Sequence, residues 1–161
     1  MIHIALPTII TVTILVSLFF FFLTKSLSFL QNSLLFMVIS ILTKNISTLM
    51  SLNWKVIHTT EDQFLFLFFL INREILIPLL VLIFVNIYLR TPSGGKRIII
   101  YICSIPVIAG LNFLSEYFNV IDFVKITLFH HTLVDTTYFL IGIGLAKIIC
   151  FDHWEHRHEG I

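Results

Sequence analysis

Charge is what this sequence has least of. Only 12% of its 161 residues are Asp, Glu, Lys or Arg, where a soluble domain carries about 25%. With 58% hydrophobic residues and a mean hydropathy of +1.01, the chain cannot cover a folded surface with solvated side chains. That excludes an ordinary soluble enzyme and a disordered tail. Cysteine is also scarce. Cys103 and Cys150 form neither a disulfide framework nor a CxxC pair, so both read as small apolar packing residues. Basic runs are missing as well, and the net charge is +1, so nucleic-acid binding has no electrostatic footprint. No HExxH, GxSxG, Walker A, Rossmann glycine pattern or pair of His-rich boxes occurs, which argues against common hydrolase and ATPase chemistry. No internal repeat is visible.

What the sequence does have is long apolar runs, with seventeen Phe and four in a row from Phe19 to Phe22. The fold class they imply is an all-α, polytopic membrane helix bundle with short loops. Five transmembrane helices are expected, with four as the alternative. The first runs from about Ile4 to Leu23 and reads as a retained helix, because no Lys or Arg precedes it as a cleaved leader would require. The second begins near Leu27 and stays uncharged to Thr43; Asn45 to Trp54 either extends it or lies in the interface. His58 to Gln63 is the first aqueous loop. From Phe64 to Leu89 there are two readings. One is a continuous helix of about 39 Å; the other, preferred here, is a helix capped or kinked at Asn72, which keeps Arg73 and Glu74 near an interface. Pro92, Gly94 and Gly95 mark the strongest turn. A fourth helix from Ile98 to about Leu114 and a fifth ending near Ile149 complete the set. Residues 1–150 thus read as one transmembrane domain, and residues 151–161 as a polar, His-rich cytoplasmic tail.

Loop charge suggests orientation. Lys25, Arg90, Lys96, Arg97, Lys147 and Arg157 fall on one side, Lys44, Lys55, Arg73 and Lys125 on the other. Six against four places the N-terminus outside and the C-terminus in the cytoplasm of a bacterial-type cell membrane.

Few polar groups interrupt the apolar runs, and they are the candidate site. His131 and Asp135 lie four residues apart on one helical face, and Tyr138, Gly142 and Ala146 extend that stripe. Gly142 and Ala146 would let a neighbouring helix approach closely. With His130 or Glu116 nearby, the pair could bind metal or haem or handle protons; the alternative is that both histidines and Asp135 are hydrated at the outer interface. Arg73 and Glu74 point about 100° apart on a helix, so snorkelling and the helix dipole can explain them. Glu116 can approach Asn112 at helical spacing. In the tail, His153, His156 and His158 are weak metal candidates, and Trp154 suits an interfacial anchor.

Three functions remain open. The leading one is a non-enzymatic accessory or scaffold subunit, with the lipid bilayer, another membrane protein or a second copy as partner. The second is a small channel, carrier or substrate-binding subunit, which requires Arg73, Glu74, Glu116, His131 and Asp135 to converge on a polar path. The third is a membrane enzyme or metal or haem redox protein using His131 and Asp135. The sequence specifies no cofactor.

Overall fold

A computed structural model describes residues 2–123 and 127–158, and the side chains of residues 4–122 and 127–149. Five helices are long and apolar enough to cross a membrane. They are α1 (Ile2–Phe22), α2 (Phe29–Asn53), α3 (Gln63–Arg90), α4 (Gly94–Tyr117) and α5 (Leu128–His158). Two three-residue strands, β1 (Ile57–Thr59) and β2 (Ile121–Phe123), pair antiparallel with His58 opposite Asp122. This small ribbon between the second and fourth loops has no counterpart in the sequence reading. Of the stretch from Asn45 to Trp54, all but Trp54 extends α2, its last turn widening to π-helical geometry over Leu49–Asn53.

Both helices that lead into the ribbon stop in the same way. Lys55 and Asn119 adopt positive φ values of 50° and 55°, the left-handed conformation that turns a chain out of a helix. After α4, Val120 N–H donates to Ser115 O and Asn119 N–H to Glu116 O, both at 2.9 Å. These two bonds satisfy carbonyls that the helix end would leave unpaired.

The third helix is the centre of the bundle. Of its apolar window 72% is buried, against 11% for α1 and 17% for α4. Helices α1, α2, α4 and α5 pack around it. One core cluster, around Ile77, Val81, Phe84, Tyr138 and Phe139, fills the half of the bundle near the Pro-Gly loop. A second, around Ala5, Ile9, Phe68, Leu76 and Ile121, fills the half near the ribbon. Outward faces are apolar: Leu15, Phe19, Phe21, Ile99, Ile102 and Phe113 are all exposed. A protein with amides and an ion pair inside and Phe and Ile outside inverts the arrangement that water favours. Cys103 belongs to that outer surface, which corrects its expected place in the packing; the Cys150 side chain lies outside the described ones.

The capped reading of α3 is overturned. Asn72 does not start a helix; the chain runs helically from Gln63 to Arg90, with a π-helical turn at Ile71–Leu76. Pro78 supplies the physical reason, since it has no N–H to donate and its ring crowds the carbonyl one turn back. The carbonyls this releases find partners on α2. Thr43 Oγ1 donates to Arg73 O at 3.0 Å, and Ser40 Oγ donates to Glu74 O at 3.2 Å. A kink that would expose backbone in an apolar setting is thereby sealed by two hydroxyls.

The backbone of α5 continues through the tail to His158. The side chains of His153, His156 and His158 lie outside the described ones, as does residue Lys125.

Candidate functional site

The π-helical turn of α3 points Arg73 into the bundle, where its side chain is only 2% exposed. It does not snorkel. Its Nη1 donates to Asp135 Oδ1 on α5 at 2.6 Å, and its Nη2 meets His131 Nε2 one turn earlier on the same helix. Asp135 is 1% exposed and His131 fully buried, so the alternative of a hydrated pair at the outer interface does not hold for these two. A guanidinium can only donate. His131 Nε2 must therefore accept, which makes the imidazole neutral with its proton on Nδ1. Nδ1 lies 3.4 Å from Asp135 Oδ2.

The fourth helix completes the cluster. Asn112 Nδ2 donates to Asp135 Oδ2 at 2.8 Å and approaches Thr132 Oγ1 at 3.3 Å. Asn72, beside Arg73, donates to Ser115 Oγ on α4 at 3.1 Å. Three helices thus converge on one carboxylate, which accepts from a cation and an amide as a buried anion must.

Of the residues picked out beforehand, Arg73, His131 and Asp135 come together. Glu74 turns outward, half-buried, and pairs with Lys44 Nζ at 3.4 Å. Glu116 is exposed and does not reach Asn112, whose amide goes to α5 instead. His130 is also exposed, its Nδ1 2.7 Å from Thr127 Oγ1 at the start of α5. Gly142 and Ala146 are both buried. A Cβ on Gly142 would lie 2.7 Å from Val81 Cγ1 and 3.1 Å from Val85 Cγ2, so the close approach of α3 and α5 depends on its hydrogen.

Among the described residues, no group of three or more His, Cys, Asp or Glu side chains is placed to hold a metal ion. At His131 and Asp135 the Arg73 guanidinium stands where a cation would bind, in contact with a lone pair of each. Ser115 and Thr132 were missed in the sequence, and Asn72 and Asn112 were given other roles there. The signal was present, since an amide inside an apolar run must find a partner when the run is buried.

A second buried network lies near the Pro-Gly loop. Asn86 Nδ2 donates to Asn32 Oδ1 at 2.7 Å and to Leu82 O at 2.8 Å. Asn86 Oδ1 accepts from the backbone N–H of Ser26 and Leu27 at 2.9 and 3.1 Å. Asn32 Nδ2 in turn donates to Leu27 O and Ser28 O. The two amides fasten the α1–α2 turn to α3, and each of their side-chain polar atoms has a partner.

Comparison with protein-family models, curated proteins and solved structures yields no significant match. The chemistry of the site has to be argued from its own geometry.

Proposed function

We propose that the chain is an integral membrane protein that binds a small polar solute at the Arg73–Asp135–His131–Asn112 cluster, as a carrier or a substrate-binding subunit. The contrast between the two buried networks carries this reading. The Asn32–Asn86 network satisfies its side-chain atoms, as a structural fastening should. Around Arg73 the buried Arg73 Nε, Asn112 Oδ1, Asn72 Oδ1 and Tyr138 hydroxyl have no hydrogen-bond partner among the described residues. Each such atom costs about 1–3 kcal/mol, and a fastening gains nothing from them. A binding site does, because they are the groups a ligand meets.

The cluster also has the right electrostatics for exchange. Arg73 and Asp135 neutralise each other, so the empty site carries no net charge with His131 neutral. An incoming anion would share the guanidinium with Asp135, which keeps its bond to Asn112. Polar groups of this kind inside an apolar bundle mark solute and proton paths in membrane proteins.

The membrane placement rests on five apolar helices with apolar outer faces. Because Arg73 is engaged inside the bundle, the loop comparison becomes six Lys and Arg against three. That supports an outside N-terminus and a cytoplasmic C-terminus in a bacterial-type cell membrane.

The test is a thermal-shift panel of small carboxylates, amino acids, amines and sugars on the purified protein, since a ligand that binds the folded state raises its stability. Stabilisation by at least one solute, lost in Asp135→Asn, is expected. The accessory-subunit reading makes the opposite forecast. On that reading no solute of the panel would stabilise either wild type or Asp135→Asn.

A further inference from the structure

Between the C-terminal half of α2 and the N-terminal half of α3 lies an open cleft of about 290 Å³, near the lower end of small-ligand pockets. Its wall is unlike the Leu, Ile and Phe surface elsewhere. Lys44 and Glu74 stand in it as an ion pair, with the Lys44 side chain 66% exposed. Arg73 and Ser47 also line it, and both are buried. The Ser47 hydroxyl and Arg73 Nε have no hydrogen-bond partner among the described residues. Phe66 and Phe69, stacked with ring centroids 6.1 Å apart, supply an apolar wall.

The hydrogen-bonding inventory decides what fits. Glu74 is the one carboxylate lining the cleft among the described residues, and Lys44 already engages it. What remains is the Arg73 Nε–H and the other ammonium hydrogens of Lys44, which only donate, and the hydroxyls of Ser47, Ser51 and Thr59, which can donate to an oxygen placed between them. A ligand complementary to donors beside aromatic rings carries acceptor oxygens at one end and an apolar body at the other. A negative charge on those oxygens strengthens each bond.

We propose that this cleft binds a small amphiphilic carboxylate. Its head lies between Lys44 and Ser47 with Arg73 behind, and its chain lies against Phe66 and Phe69. The proposal rests on the reading of the Arg73 cluster as a solute site and names the class of solute.

The experiment measures radiolabelled octanoate binding to the full chain in phosphatidylcholine nanodiscs, with empty nanodiscs subtracted. Saturable binding is expected, weakened at least tenfold in Lys44→Gln and in Ser47→Val and unchanged in Ser33→Ala, which lines a different cleft. Octanol, with the same body and no charge, should fail to compete. Lys44→Gln alters an exposed side chain and leaves the fold intact, so the test does not depend on Ser47→Val folding. Absence of saturable binding, equal binding in Lys44→Gln, or full competition by octanol would each overturn the proposal. If octanoate does not bind while another solute stabilises wild type and not Asp135→Asn, the ligand class fails and the cluster reading stands. If octanoate binds but Asp135→Asn has no effect on any solute, the cluster reading fails, and with it the proposal that the cleft receives the cluster's solute.

Discussion

At the scale of single residues, the interior is governed by the cost of an unaccompanied charge. Arg73→Leu leaves Asp135 buried with only Asn112 and His131 beside it, and breaking a buried pair costs about 3–5 kcal/mol. We expect that loss of stability in the single variant, and recovery of most of it in Arg73→Leu/Asp135→Leu, both read by thermal unfolding in detergent. Asn86→Ala should cost about 3 kcal/mol, since it strands the Ser26 and Leu27 N–H groups and Asn32 Oδ1 together. Solute binding, if it resides at Arg73, should survive in that variant at temperatures where it stays folded. The same measurements on one protein would thus separate a fastening from a site.

At the scale of elements, Pro78 and the hydroxyls of α2 act as one device. The proline prevents regular hydrogen bonding in α3, the helix widens, and Thr43 and Ser40 take the released carbonyls. Thr43→Val keeps the shape and removes the donor, so it should destabilise the protein by about 1–2 kcal/mol. A neutral result in thermal unfolding would mean that the Arg73 carbonyl is satisfied without α2. Gly142→Leu acts on the α3–α5 seam, where even a methyl would meet Val81 at 2.7 Å. It should abolish the folded monodisperse species in size-exclusion chromatography; normal elution and melting would remove the close-approach argument.

At the scale of the whole molecule, the proposed topology passes the five apolar helices through the bilayer, with the N-terminus outside and the C-terminus in the cytoplasm. A C-terminal green fluorescent protein fusion in a bacterial host should fluoresce, and a C-terminal alkaline phosphatase fusion should be inactive. The reverse pair of results would invert the orientation. Inverting it would also move the mouth of the Lys44–Ser47 cleft to the other side of the bilayer, with its chemistry unchanged.

The five helices were legible in the sequence because length and apolarity alone decide whether a segment can satisfy its backbone in hydrocarbon. The small face at Gly142 and Ala146 and the His131–Asp135 pairing were legible too, since both follow from helical spacing within one element. Asn72, Pro78 and Glu74 were misread as a helix start, because the same residue types serve a capped N-terminus and a π-helical turn. Which applies depends on whether Thr43 and Ser40 stand opposite, and that is a fact about α2. Asn112 was assigned to its own helix for the same reason, its true partner lying on α5. Length and apolarity therefore pointed to five helices with four left open, and helical spacing to the face that His131, Asp135, Gly142 and Ala146 share. Only tertiary packing decided that Arg73 turns inward, because the energy of a buried charge is set by what another helix brings to meet it.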